Sequence, residues 1–178
     1  MRVVAGRFGG RSLVAPRGGS TRPTADRVRE ALFSILGQGV VQARVLDLFA
    51  GSGALGIEAL SRGASEVDFV DSSTAAAAAI RRNLDAVGVE AVVRRQDALS
   101  FLEWARRDAR QYDLVFLDPP YRRASALGRE LSAALAPVLA PDARVVAESD
   151  RRAPLELDLE LLDERRYGDT LIRIHGTR

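Results

Sequence analysis

The chain has 178 residues, 47% of them hydrophobic, a formal net charge of +2, one histidine and no cysteine; all 26 basic residues are arginine. That length suits one α/β domain around a sizeable core. The composition excludes disulfides, thiolate metal sites and thiol nucleophiles, and no apolar run approaches the ~20 residues that span a bilayer.

The N-terminus lacks the long apolar segment of a signal peptide, so a cytoplasmic protein is expected. Val3 to Val14 reads as a hairpin, two β-rich runs around a glycine-bearing turn. Residues 1–30 carry seven arginines (Arg2, Arg7, Arg11, Arg17, Arg22, Arg27, Arg29) against Asp26 and Glu30, a net of +5, which leaves −3 for the rest. A basic end on a nearly neutral body is the footprint of a nucleic-acid contact, although a solvated arm has the same composition. Arg2, Arg7, Arg11, Arg17 and Arg22 are its candidate contacts, and Phe8 either stacks on a base or packs against the body. Residues 1–20 are expected to form this extension and residues 21–178 the main domain. Thr24 can cap a helix whose apolar face is Val28, Ala31, Leu32, Ile35 and Leu36.

From Arg44 the pattern alternates. Strands are predicted at Val45–Phe49, Val67–Asp71, Ala91–Arg95, Tyr112–Leu117 and Arg144–Glu148. Helices are predicted at Ala54–Arg62, Thr74–Val87, Leu99–Arg107 and Leu127–Leu139, the last bounded by Pro141. Such alternation implies a parallel sheet covered on both faces. Leu155–Arg166 and Thr170–Ile174 both look extended and flank Gly168-Asp169. Strands joined by so tight a turn are antiparallel, so one strand of the sheet is reversed. Trp104 reads as core and His175 as a surface residue.

Gly51-Ser52-Gly53-Ala54-Leu55-Gly56 turns the first strand into a helix. This pattern brings backbone close to a ligand, and NAD and S-adenosylmethionine (SAM) both use such a crevice. Asp71 ends the second strand, placed to accept from ribose hydroxyls of either ligand. Asp47 favours SAM, because a carboxylate there repels a pyrophosphate and attracts a sulfonium and an ammonium group. Asp97, after the third strand, is placed to accept from an adenine amine. Ser72 and Ala98 adjoin these two acids, and Phe49 is placed to pack beneath the cofactor. Capping of the following helices is the plainer role for Asp71 and Asp97.

Asp118-Pro119-Pro120-Tyr121 follows the fourth strand. A carboxylate, two prolines and an aromatic at a strand end make a rigid polar cup with a flat wall, suited to an exocyclic amine on a planar base. Asp118 would accept an amine hydrogen and adjoin the cofactor; the Pro119 carbonyl would accept the other hydrogen, and Tyr121 would stack on the base. The rival readings are adenine-N6 methylation of DNA or RNA, an NAD(P) oxidoreductase, and a non-catalytic RNA-binding module. The lone His175 leaves few metal ligands beyond carboxylates, and no metal is expected.

Arg22-Pro23-Thr24-Ala25-Asp26-Arg27-Val28-Arg29-Glu30-Ala31-Leu32-Phe33, the glycine turn, Asp118 to Tyr121 and Tyr167-Gly168-Asp169-Thr170 together resemble the RsmD family of guanine-N2 methyltransferases of small-subunit (16S) ribosomal RNA. The resemblance covers nearly the whole length. It implies a Rossmann-like, SAM-dependent fold of seven strands with the last reversed, and an Arg-Pro-Thr segment closing over the methionine end of SAM. It further implies a ribosomal RNA partner; nothing in the sequence demands more than a monomer.

Overall fold

The computed structural model describes residues 1–16, 26–119 and 124–177, the side chains of 124–126 apart. Thr24, Arg17, Arg22, Pro120 and Tyr121 therefore lie outside the described residues. The elements run α1 (Asp26–Leu36), β1 (Arg44–Leu48), α2 (Ala54–Ser61), β2 (Glu66–Asp71), α3 (Thr74–Val87), β3 (Val92–Arg95), α4 (Ala98–Arg107), β4 (Tyr112–Leu117), α5 (Ala124–Leu135), β5 (Leu139–Asp150), β6 (Glu160–Tyr167) and β7 (Thr170–Gly176). One seven-stranded sheet has the order β3-β2-β1-β4-β5-β7-β6. β3, β2, β1, β4 and β5 pair in parallel, and β7 runs antiparallel to both β5 and β6. This is the Rossmann-like sheet with one reversed strand that the sequence implies.

Period-two burial splits the core between the two faces of the sheet. Val45, Phe69, Leu114, Phe116 and Val146 point to one face, with Leu32 and Phe33 of α1, Ile57 of α2 and Ile80 of α3. Leu46, Leu48, Val115 and Val145 point to the other, beneath Phe101 and Leu102 of α4 and Leu131 and Leu135 of α5. Trp104 packs against this second core, under the Arg94 guanidinium at 4.0 Å.

The N-terminal hairpin is looser than its composition predicts. Among the described residues it holds one isolated antiparallel bridge, Arg2 to Ser12. The reason lies in α2. Glu58, fully buried, accepts from Val4 N at 2.7 Å and Ala5 N at 3.0 Å, which draws the chain after Val3 onto α2 and away from its strand partner. Gly6 makes the close approach possible: its φ is +80°, and a Cβ there would lie 2.0 Å from the Ser61 carbonyl oxygen. Ser61 completes the seam, its Oγ accepting from Phe8 N at 2.9 Å. Val3, Phe8 and Leu13 thus belong to the first core.

The chain also departs from expectation at α5. The helix begins at Ala124 and gives way after Leu135 to a 3-10 turn, Ala136–Val138. Pro137, nearer than Pro141, stops it by lacking the donor and restricting the residue before it. β5 accordingly starts at Leu139, and its pairing with β4 shifts register between Tyr112 and Leu114. Of the extended stretch expected from Leu155, only Glu160 onward joins the sheet.

His175 is a correction. It lies inside β7, between Val145 and Leu161, and is 3% exposed. Neither ring nitrogen makes a well-formed hydrogen bond. Burial pushes its pKa below the ordinary 6.5; Arg173 adds to this, while the Leu159 main chain and Glu156 act the other way. The native state therefore binds a proton less readily than the unfolded chain, and stability falls as pH drops below about 6.5. Thermal unfolding of wild type and His175→Phe between pH 7.5 and 5 should show wild type losing up to about 1.4 kcal/mol per pH unit relative to the variant. Parallel pH curves would show that His175 does not titrate in this way.

Candidate active site at the carboxyl edge of the sheet

The strand order reverses between β1 and β4, and in open α/β sheets ligands bind at such a switch point beyond the carboxyl ends of the strands. Period two places the acids there. Asp47 follows Val45 by two, Asp71 follows Phe69, Asp118 follows Phe116 and Glu148 follows Val146, so all four continue the rows of the first face.

Asp47 is 3% exposed and accepts from Gly56 N at 2.9 Å. Burial pushes its pKa up to about 7; the Gly56 bond lowers it, and Asp71 raises it further. Asp71 uses one carboxylate oxygen for Gly51 N at 2.9 Å and the other for Ser73 N at 2.8 Å. It thereby ties the glycine turn to the start of α3. The turn is left-handed at three residues: Phe49 (φ 66), Gly51 (φ 55) and Gly53 (φ 76). Gly53 opens α2 where a Cβ would press on Ile80 and Phe69 at 3.2 Å. Phe49 holds this conformation without glycine's freedom, a cost of order 1–3 kcal/mol of the kind that clusters at ligand sites. Its partly buried ring packs against the second core.

Asp97 caps α4, its Oδ1 accepting from Leu99 N at 3.1 Å and Ser100 N at 3.2 Å, with the side chain otherwise exposed. Ala98 is buried behind it and Ser72 is exposed beside Asp71. Asp118 is partly exposed at the end of β4, and Pro119 is buried. Desolvation, then Glu148, then Asp47 push the Asp118 pKa well above the usual carboxylate range. The β4–β5 register explains this: Leu117 pairs with Ala147, so Asp118 and Glu148 come next on adjacent strands. Acids crowded in one crevice repel one another, and a bound cation relieves that repulsion.

The structure brings Asp47, Phe49, Gly51, Gly53, Asp71 and Asp118 to one edge. The N-terminal arginines have different partners. Arg2 is exposed and pairs with Asp26 at 3.4 Å. Arg7 is exposed and lies over the Phe8 ring, 4.5 Å from its centroid. Arg11 donates to the Ala86 carbonyl at the end of α3, 2.8 Å away. Of the two readings of Phe8, the structure bears out packing against the body: at 7% exposure it is a core residue, held by α2, and stacking on a base falls away. Arg29 is 1% exposed, donating to Asp26 and the Arg2 carbonyl, so it does not belong to the basic surface.

Three polar residues emerge only in the fold. Glu148 is 5% exposed beside Asp118. Glu58 anchors the hairpin. Asn83, on α3, donates to the Ser52 and Val14 carbonyls at 2.8 and 2.9 Å and accepts from Val14 N, coupling the hairpin to the glycine turn. A carboxylate inside the apolar α2 and an amide on the buried row of α3 with Ala79, Ile80 and Val87 were the available signals. Among the described residues no helix is long and apolar enough to cross a membrane, and no group of acids or histidines is arranged to hold a metal ion.

Residues 1–176 match the family described as Conserved hypothetical protein 95. Ribosomal RNA small subunit methyltransferase D of Haemophilus influenzae is 35% identical over 182 residues, covering 98% of this chain and 93% of the relative. The Thermus thermophilus hypothetical protein TTHA0928 superposes with a TM-score of 0.86 at 30% identity, covering 98% of each chain. The fold is also shared, at 23% identity and a TM-score of 0.69, with the T. thermophilus 16S rRNA N2 G1207 methyltransferase solved with AdoMet and guanosine, over 91% of this chain and 45% of that one. On the family match and these identities, the chain belongs to the RsmD family, the small-subunit ribosomal RNA methyltransferases of type D.

Proposed function

We propose that this protein methylates the exocyclic N2 amine of a guanine in small-subunit ribosomal RNA, using SAM, in the cytoplasm, as a monomer acting on a small-subunit particle. The observation that carries the reading is the placement of Asp118 at the switch point, on the same edge as Asp47, Asp71 and the glycine turn. Family membership and the relative named for ribosomal RNA support the substrate class.

The acidic edge fits SAM. A sulfonium and an ammonium group are stabilised by buried or half-buried carboxylates, whereas the pyrophosphate of NAD would face Asp47 and Asp71. SAM supplies an electrophilic methyl carbon. Asp47 and Asp71 fix the glycine turn against which the cofactor lies, and Asp71 retains lone pairs for ribose hydroxyls. Ser72, Asp97 and Ala98 border the adenosine end, Phe49 packs below it, and Thr24 belongs to the segment closing over the methionine end.

The amine lone pair of guanine is delocalised into the ring. Asp118 and the Pro119 carbonyl accept its two hydrogens, which turns that pair toward the methyl carbon, with Pro120 stiffening the cup and Tyr121 stacking on the base. In-line placement accounts for up to roughly 7–11 kcal/mol of barrier lowering. The new N–C bond forms as the C–S bond breaks, and the surplus amine proton passes to Asp118 or adjoining water. The guanine enters unpaired, at a cost of a few kcal/mol, offset by phosphate contacts of Arg2, Arg7 and Arg11 together with Arg17 and Arg22.

Only ionised Asp118 can take up the amine proton and accept with both oxygens, so kcat/KM rises with pH as Asp118 loses its proton, above the ordinary carboxylate range. Glu148→Gln removes a repelling charge and should move that rise to lower pH. Profiles between about pH 5 and 8 check this; an unmoved profile would remove Glu148 from the account. The reading itself is tested by transferring labelled methyl to small-subunit particles from cells lacking the protein and digesting the RNA. N2-methylguanosine is expected, and N6-methyladenosine or no label would overturn it.

A further inference from the structure

Asp118 has a second acid at its side, one strand further from the glycine turn. Glu148 of β5 is 5% exposed, and a glutamate is seldom buried to that degree unless something answers its charge. Register fixes its place. Phe116 pairs with Val146 and Leu117 with Ala147, so Asp118 and Glu148 come next, on strands about 4.8 Å apart. Phe116 and Val146 belong to the first core, and so does Ile172, the partner of Glu148 on β7. Both carboxylates therefore leave the sheet on that face. After desolvation, the Glu148 charge is the next cause that raises the Asp118 pKa, a sign that the two lie close.

The strand order gives the acids different tasks. Asp71 on β2 and Asp47 on β1 hold the glycine turn and the start of α2. Asp118 follows on β4 and Glu148 on β5, beyond Asp118 as seen from that turn. An amine held at Asp118 and aimed toward the turn leaves the rest of its ring on the β5 side. Single-stranded and extruded bases are read there, along the Watson–Crick edge.

Three nucleobases carry an exocyclic amine. In adenine and cytosine the ring nitrogen on that edge, next to the amine-bearing carbon, is an acceptor. Guanine alone carries a donor in that place, N1–H. An ionised carboxylate offers lone pairs only. Set against this nitrogen, it bonds guanine and repels adenine and cytosine.

We propose that Glu148 accepts a hydrogen bond from N1–H of the target guanine and so makes the corner at Asp118 selective for guanine. The proposal rests on the functional reading above. Asp118 and the Pro119 carbonyl recognise an amine, which three bases offer. Glu148 recognises the atom beside it, which only one base offers. A donor placed at Glu148 also offsets the repulsion between the two acids. A site built around such a bond rejects the base that lacks the hydrogen, because a buried charge is then left facing a lone pair.

The test titrates ribonucleosides, followed by NMR, into wild type and Glu148→Gln saturated with S-adenosylhomocysteine. 2-Aminopurine riboside keeps the N2 amine but has an acceptor at N1. Wild type should bind guanosine at least about tenfold more tightly than this analogue. In Glu148→Gln the side-chain amide donates to the analogue's N1, so the two affinities should come within about threefold of each other. A contact to guanine O6 favours guanosine in both proteins alike, so only a contact at N1 lets the preference move with residue 148. A purely structural role weakens both nucleosides together and leaves their ratio as it was. An unchanged ratio, no preference in wild type, or no binding of guanosine would overturn the proposal. If Glu148→Gln does not fold, wild type with 1-methylguanosine serves. That nucleoside keeps O6 and N2 and should bind at least about tenfold more weakly than guanosine, equal affinity overturning the proposal. Binding is read without turnover, so absence of N2-methylguanosine from treated particles would sink the functional reading alone.

Discussion

Asp118→Ala should lower methyl transfer by about 10²–10⁴-fold, the range for a positioned proton acceptor, with SAM affinity held within about threefold. The split matters. An interaction made only with the reacting amine lowers kcat and kcat/KM together and leaves cofactor binding alone. A carboxylate that merely ended β4 would show neither loss. The acidic crevice sharpens the contrast, because Asp118 is crowded by Glu148 and Asp47, which resist its ionisation. Removing it relieves that repulsion, so the variant should melt no lower than wild type while losing activity. Single-turnover transfer, SAM titration and a melting curve on one preparation separate the cases. Loss of SAM binding in parallel with activity would make Asp118 a cofactor ligand instead.

Glu58→Ala should have the largest effect on stability. Glu58 is fully buried, accepts from the Val4 and Ala5 amides, and pairs with Arg62 at 2.7 Å. Truncation strands two half-buried backbone donors and leaves the Arg62 guanidinium, 22% exposed, without its partner. Breaking a buried pair by removing one partner costs about 3–5 kcal/mol. For a chain of this size that is a fall in Tm of roughly 6–20 °C. Glu58→Gln keeps an acceptor and should lose less. Because Val3, Phe8 and Leu13 share the first core, the loss should be cooperative rather than confined to the arm. A Tm within about 2 °C of wild type would mean the hairpin contributes little to the native state.

The alternating strands and helices were readable because apolar rows of period two and 3.6 were punctuated by Gly63, Gly88 and the glycine turn. The reversed β7 followed from the short Gly168-Asp169 turn alone. Asp47, Asp71 and Asp118 were legible as strand-end acids, since a parallel sheet carries such ends to one edge. Long-range partnerships were not legible. Glu148 looked like an ordinary strand terminus, and only the β4–β5 register sets it beside Asp118. Phe8 and Arg29 sat in a basic stretch whose composition suggested solvent, yet Ser61, Asp26 and the Arg2 carbonyl hold them inward. His175 near the chain end looked exposed, but the outer strand β6 covers it. Each miss is a burial decided by residues far away in sequence, which local patterns do not encode.

The claim beneath all of this is that the corner at Asp118 holds an amine against the methyl donor. A crystal structure of the protein with S-adenosylhomocysteine and guanosine tests it most directly. The guanine N2 is expected within about 2.6–3.2 Å of the Asp118 carboxylate and directed toward the cofactor sulfur. A guanine bound elsewhere, or a corner filled by the protein's own side chains beside bound cofactor, would contradict it.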